Sequence, residues 1–470
     1  MLRAFWQIAA AGLLAILAVF GLVYSAQAGS SRIDLASVAM AAALVGTIIL
    51  GGWMLARADL DLRLKMGIAA GLALVARLGA VLLIGHSQPQ FGDAAVYPDL
   101  ARGLLARGEL AVFEGGTLVR AMYPPVFPGL LAGWFWLAGD GPFSIGLLNG
   151  LIDGALITVT ISVARQLGLT RSGLAAGLAI ALWPALLLQA HVAQKESLAV
   201  LLVLVIAHGL LALVPTRKRN LRAAAQIGLG TGLLALTQPL WAPVTALLAL
   251  ALLPRLSIGT LSRAALLSIP FALLVLLPWW ARNFLLFDSF VPLTSSSGLS
   301  LWIANHAGAT GLWTALPKEL HGLGELDASA QAAAMAQNWI AAHPQDFVYQ
   351  TVGKVARALA GETFSTYRLS LFDPPLEAEV LSRLAFVTQF AWSMLLALVA
   401  AAHLTVRRLW LPLGLVAACL AELLIFGAWF EFGERHRAML LPFLLIAAAA
   451  GIAAAQEGAS GKQSRDGLQA

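Results

Sequence analysis

Runs of about 20 apolar residues recur in this chain from one end to the other, each long enough to cross the ~30 Å hydrocarbon layer of a bilayer. Only 11% of the 470 residues are charged, while 60% are hydrophobic; a soluble domain carries roughly 25% charged residues. This pattern predicts an all-α polytopic membrane protein. A membrane β-barrel would show shorter, alternating segments instead. The formal charge of +6 does not point to nucleic acid, because the basic residues form short clusters between apolar runs. The single cysteine, Cys419, lies inside such a run, so it forms no intrachain disulfide and makes a poor candidate nucleophile.

The length rule places twelve helices: Phe5–Tyr24, Leu35–Leu55, Met66–Gly85, Phe143–Val163, Leu174–Gln189, Ser197–Val214, Ala223–Thr237, Leu240–Leu253, Ala264–Trp280, Leu384–His403, Leu409–Trp429 and Ala438–Ala455. The first resembles a signal peptide ending at Ala28, but its apolar core is long enough to span, and an uncleaved first helix is the favoured reading. Basic residues collect on the cytoplasmic side of membrane proteins. Arg57, Arg63, Lys65, Arg165, Arg171, Arg217 to Arg222, Arg255, Arg263, Arg407 and Arg408 all obey that rule provided that Pro124–Ala138 does not cross. Its prolines suit a short helix held against protein. Residues 1–65 then form two N-terminal helices, 66–281 a transmembrane core, 282–383 a long outer loop, 384–455 the last helices, and 456–470 a polar tail.

With this parity the polar segments share the outer face: His86–Tyr123, His191–Glu196, Arg282–Ser382 and Glu431–Arg437. Asp93 leads the candidates. A carboxylate at the water–lipid boundary can take a proton from an attacking hydroxyl, and Tyr97 stands one turn on; Asp93 reads equally well as an N-cap for a helix over Ala94–Ala106. Asp99 reads as a solvated charge, and Arg102 and Arg107 as interfacial anchors. Arg120, before the Tyr123-Pro124-Pro125 turn, is a candidate phosphate partner. Lys195 and Glu196 open a helix, where they serve either a substrate or a structural pairing.

Glu431–Arg437 carries three potential cations on the face that basic residues normally avoid. This predicts an anionic partner such as a lipid-linked phosphate, with Arg435 or Arg437 as its ligand. Arg282, beside two tryptophans, is a weaker candidate of the same kind. Val291–Gly311 is rich in Gly, Ser, Asn and Trp and suits the binding of a sugar or headgroup; Trp302 and Asn305 are its candidate contacts, and Tyr123 and His436 complete the set. Further on, Asp327 can cap a helix that stops near Pro344, and Phe347–Leu359, with Lys354 and Arg357, reads as an interfacial amphipathic helix. Neither metal-ligand histidine spacing nor a phosphate-binding glycine motif occurs in the sequence.

Four stretches in order resemble one family. Gly92-Asp93-Ala94-Ala95-Val96-Tyr97 with Ala101–Gly108 and Tyr123–Ala132 is similar to the first outer loop and re-entry of the polytopic GT-C glycosyltransferases. The likeness is to their protein mannosyltransferase-like branch, which includes bacterial lipid A aminoarabinose transferases and rhizobial lipopolysaccharide core glycosyltransferases. Trp279–Gly311, His343–Phe347 with Lys354, and Arg435–Pro442 fit the same pattern, so the resemblance covers roughly Met66 to Ala455. It implies transfer of a sugar from a polyprenyl-phosphate carrier to a glycan, lipid or protein acceptor outside the inner (cytoplasmic) membrane of a bacterium. Asp93 would be the general base or would orient the acceptor. Many relatives have a second acidic residue directly after this aspartate, whereas here Ala94 follows; metal-independent, inverting transfer is therefore the expectation, with no cofactor. The two helices before Met66 are additional to the simplest family pattern. A lipid or polysaccharide transporter is the alternative, and would favour midplane charges and repeated halves.

Overall fold

The computed structural model describes residues 2–27, 32–90, 92–114, 117–213, 217–406 and 409–466. Three helices open the chain: α1 (Leu2–Gln27), α2 (Leu35–Arg57) and α3 (Leu62–Ile84). The loop after α3 carries α4 (Asp93–Arg107), a two-stranded antiparallel hairpin of β1 (Val112–Glu114) and β2 (Thr117–Val119), and α5 (Val126–Ala138). A run of apolar helices follows: α6 (Pro142–Gln166), α7 (Thr170–Ala181), the short α8 (Pro184–Leu188), α9 (Glu196–Leu211), α10 (Arg217–Ala235), α11 (Val244–Ala251) and α12 (Ile258–Phe287). The second loop folds into α13 (Ser297–Ala304), α14 (Glu325–Ala342), α15 (Pro344–Ala360) and α16 (Phe364–Ser370). The chain closes with α17 (Ala378–Thr405), α18 (Trp410–Glu422) and α19 (Leu441–Asp466).

Among the described residues, nine helices are long and apolar enough to cross a membrane, and the protein is a multi-pass membrane protein. The expected count of twelve is not reached by length: the expected Ser197–Val214, Ala223–Thr237 and Leu240–Leu253 spans are not among the nine. Pro239 and Pro243 confine the expected Leu240–Leu253 span to a short apolar piece over Pro239–Ala251, and the expected Ser197–Val214 span shortens to Glu196–Leu211. Pro184 divides the expected Leu174–Gln189 span into α7 and α8, which together still count as one of the nine. By contrast α12 runs for 30 residues, past Trp280 to Phe287, with Pro270 and Pro278 inside it. At 13 residues α5 is about 20 Å long, too short to cross. Ala28, Pro215, Arg407 and Arg408 lie outside the described residues.

Leucine, isoleucine and valine make up much of the main core, and glycines and alanines let particular helices approach closely. α3 packs on α6 and α7, α6 on α9, α9 on α10, and α10 on α12, while α17 joins α1, α2 and α19. Ionisable groups are not confined to the helix ends as the sequence suggested. Arg77 of α3 donates from Nε to Asp153 Oδ2 of α6 at 2.6 Å with both side chains buried, so the charges cancel where an isolated one would be costly. Glu422 is also fully buried, and neither of its carboxylate oxygens meets a partner among the described residues.

The four polar segments converge at one end of the bundle. His191 contacts the Ser87 carbonyl at 2.8 Å, and Gln88 and Asp373 exchange backbone hydrogen bonds. The Phe432 amide donates to the Gly311 carbonyl at 2.9 Å. Asp327 does not cap α14; Gly324 holds that position. Glu325 instead reaches across to the first loop, accepting from the backbone amides of Arg120 and Ala121, each at 2.8 Å, and from Ser295 Oγ at 2.5 Å. Truncation at Glu325 strands two amides, one of them buried, and an unsatisfied buried group costs about 1–3 kcal/mol. Glu325→Ala should therefore lower unfolding stability by about 2–4 kcal/mol, read as an earlier thermal transition of the purified protein in detergent.

Candidate functional site

Asp93 is placed by the residue before it. Gly92 has φ of +72°, a conformation that is costly for residues with a Cβ, and it starts α4 so that Asp93 is the first helical residue. Gly92, not Asp93, therefore holds the N-cap position of α4, which removes the N-cap reading. Its carboxylate faces Arg435 instead, whose Nη1 donates to Asp93 Oδ2 at 2.7 Å. The same guanidinium donates from Nη2 to Glu431 Oε1 at 3.1 Å, and its Nη1 stands 3.9 Å from Glu196 Oε1. Its carbon lies 5.8 Å from the Phe364 ring centre.

These groups border a half-open cavity of about 810 Å³. Asp93, Tyr123, Lys195, Glu431, Arg435 and His436 line one end. Thr117, Gln238, Thr294, Ser296, Ser297, Ser300 and His321, with Trp313 and Phe430, line the rest. Tyr97 packs edge-on against Tyr123 and Phe127, at 5.8 and 5.2 Å between ring centres, and its buried hydroxyl meets no partner among the described residues. Lys195 Nζ sits 5.4 Å from the Tyr97 ring centre.

Opposite charges balance here: Asp93, Glu196 and Glu431 face Arg435, Lys195 and Arg368. Burial pushes the Asp93 carboxyl upward, but the charges of Arg435, Lys195 and Arg368 and the Arg435 hydrogen bond hold it well below the usual carboxylate range. Burial raises Glu431, opposed by Arg435. Burial lowers the Lys195 ammonium, opposed by Asp93 and Glu196. Tyr97 is pushed up, by burial first and then by Asp93 and Glu196.

Several residues expected at the site lie elsewhere. Arg437 points inward, donating to the Ala358 carbonyl and to Glu362, with its guanidinium 3.8 Å from the Trp392 ring centre. Arg282 fastens the first loop to α12, donating to Asn283 Oδ1 at 2.8 Å and to the Arg120 carbonyl at 3.0 Å. The Arg120 side chain is exposed to solvent. Trp302 is buried and stacked on His306 at 4.4 Å, while Asn305 donates to the Leu301 and Trp429 carbonyls at 2.8 and 2.7 Å. None of these five lines the cavity. Glu196 faces a smaller chamber of about 80 Å³ behind Arg435. Lys354, expected on the polar side of an interfacial helix, is buried with Nζ 3.5 Å from the Ala304 carbonyl. Glu431 and Arg368 were not singled out from the sequence as ligands; the crowding of charge into Glu431–Arg437 was the available signal for the first, and none existed for the second. Among the described residues, no group of three His, Cys, Asp or Glu could hold a metal ion.

No protein-family profile and no curated protein matches the sequence; solved structures do. The archaeal oligosaccharyltransferase AglB from Archaeoglobus fulgidus, in complex with an inhibitory peptide and a dolichol-phosphate, is 12% identical, with 85% of this chain and 52% of that one covered and a TM-score of 0.50. The chain thus spans about half the length of that enzyme. ArnT from Cupriavidus metallidurans bound to undecaprenyl phosphate is 16% identical, with 85% and 79% covered and a TM-score of 0.42. The likeness to AglB concerns architecture, and it agrees with the resemblance carried by the outer-loop motifs: the chain has a GT-C-like polytopic membrane fold.

Proposed function

We propose that this protein is a glycosyltransferase that moves a sugar from a polyprenyl-phosphate donor to a hydroxyl of a glycan, lipid or protein at the outer face of a bacterial inner membrane. One observation carries the reading: Asp93 paired with Arg435 on the wall of a large cavity, at the end of a bundle of apolar helices. The lipid phosphate in the AglB complex is of the same chemical class.

The pairing suggests how the step runs. A phosphate entering the cavity competes with Asp93 for the Arg435 guanidinium, which prefers a bidentate oxyanion. Released from Arg435, Asp93 becomes more basic and accepts the acceptor's hydroxyl proton. The hydroxyl oxygen bonds to the anomeric carbon as the bond from that carbon to the phosphate oxygen breaks. The electron pair leaves with the phosphate, whose charge Arg435 and Lys195 stabilise. Displacement with one carboxylate inverts the anomeric centre. We further propose that no metal takes part, so that transfer continues in EDTA.

The test is transfer of radiolabel from a mixture of polyprenyl-phosphate sugars to a membrane extract by purified protein in liposomes. Labelled acceptor supports the reading. Passage of the lipid across the bilayer with no labelled product would move the assignment to a transporter.

A further inference from the structure

A second cavity, of about 710 Å³, opens between α2, α7, α17 and α19. It is lined mostly by aliphatic residues, among them Ile48, Leu395, Leu445 and Ile452. Its position follows from helix directions. α3 rises from Leu62 to Ile84 and leads into the Asp93 loop, so Leu62 and the neighbouring Arg57 lie at the opposite end of the bundle. α2 and α7 run antiparallel and approach closely at Gly52, where a Cβ would stand 3.2 Å from the Ala175 Cβ. Arg57, five residues beyond Gly52, and Arg171, four before Ala175, therefore end up side by side at the mouth.

Both arginines line the cavity and both are exposed. Arg57 lies 4.4 Å from the Trp53 ring centre, and among the described residues neither arginine has an acidic partner within 4.0 Å. From Arg171 the cleft reaches Trp183, twelve residues or about 18 Å along the helix direction. Two unpaired guanidiniums above an apolar slot of that depth match one amphiphile: a charged phosphate head over an acyl chain. Basic pockets between transmembrane helices bind anionic lipid headgroups in this way.

We infer that the cleft between α2 and α19 is a binding site for an anionic phospholipid of the leaflet opposite the Asp93 cavity, with its phosphate on Arg57 and Arg171. The polyprenyl donor is a poor occupant, because its phosphate must reach Arg435 at the other end. The inference does not depend on the catalytic reading.

Native mass spectrometry of the full chain, released from micelles containing equal amounts of phosphatidylglycerol and phosphatidylcholine, tests it. Each arginine near an anionic headgroup contributes about a fivefold preference, so the pair predicts retention of phosphatidylglycerol by roughly 25-fold. In the double variant Arg57→Gln/Arg171→Gln the preference should fall close to one, whereas Arg63→Gln, which lies outside the cleft, should keep it. Both arginines lie at exposed helix ends, so the double variant should fold; an unchanged thermal midpoint without added lipid checks this, and Ala449→Phe, which fills the slot, provides an independent block. Equal retention of the two lipids, full preference in the double variant, or displacement of phosphatidylglycerol by undecaprenyl phosphate would each overturn the inference.

Discussion

Asp93→Asn should lower the turnover number of sugar transfer by a factor of about 100 to 10,000, the range for loss of a general base, while leaving the Michaelis constant for the lipid donor unchanged or reduced. The second half of this expectation comes from the geometry. Asp93 occupies Nη1 of Arg435, so in the proposed reaction the carboxylate and the donor phosphate compete for one guanidinium. The amide of asparagine competes less well, and the phosphate gains what Asp93 gives up. A residue with a purely structural role would raise the Michaelis constant and lower stability together. The pH profile adds a further check. Because Asp93 titrates below the usual carboxylate range, it stays ionised in the free wild-type protein down through about pH 4. Its acid limb in kcat/KM should then be absent above that pH. The same sign applies to stability: the pair's contribution is present above the ordinary carboxylate value and fades only as pH drops through the lower folded value.

Arg435→Gln should be damaging in two ways at once. Three carboxylates then share a partly buried site with only Lys195 and Arg368 for compensation, and removing one member of a buried ion pair costs about 3–5 kcal/mol of folding stability. On the proposed reading the donor also loses its phosphate ligand, so kcat/KM should fall by at least 100-fold, about 3 kcal/mol. Without Arg435, burial dominates Asp93, and the acid limb of any remaining activity should move up in pH. Arg437→Met is the matched control. Arg437 holds Glu362 and the Ala358 carbonyl away from the cavity, so its loss should lower the thermal transition comparably yet leave the donor's Michaelis constant unchanged. If Arg437→Met raised that constant and Arg435→Gln did not, the assignment of the phosphate ligand would be reversed.

Sequence alone could not separate these two arginines, for a geometric reason. They flank His436 in a 3₁₀ turn, Glu434–Leu440. With three residues per turn, positions two apart point to different sides, and one faces the cavity while the other faces the core. The same rotation decides α13. Ser296, Ser297, Ser300 and Ile303 share the cavity face, at helical spacing, while Trp302 and Asn305 share the face turned inward. Composition marked the segment as a wall without saying which face was exposed.

The long outer helices were legible because the bilayer imposes a length and an apolar composition, and Asp93 stood out because carboxylates are scarce in such a chain. Glu325 and Arg368 were not legible. Glu325 acts on amides 205 and 204 residues away, and Arg368 reaches the Asp93 cluster only through the folding of the second loop. Proline explains one of the three spans lost between twelve and nine, Leu240–Leu253, since a hydropathy window counts apolar residues and ignores the missing amides at Pro239 and Pro243.

The distance along the chain between Asp93 and Arg435, 342 residues, also has a bearing on biogenesis. At about 5–20 residues per second, a ribosome needs roughly 17–70 s to reach Arg435 after it has added Asp93. Throughout that interval the aspartate lacks the hydrogen-bonded counterion of the C-terminal turn, and of the cations that face it only Lys195 and Arg368 are made earlier. A nascent chain stopped before residue 435 would therefore carry the Asp93 loop without the cation that pairs with it.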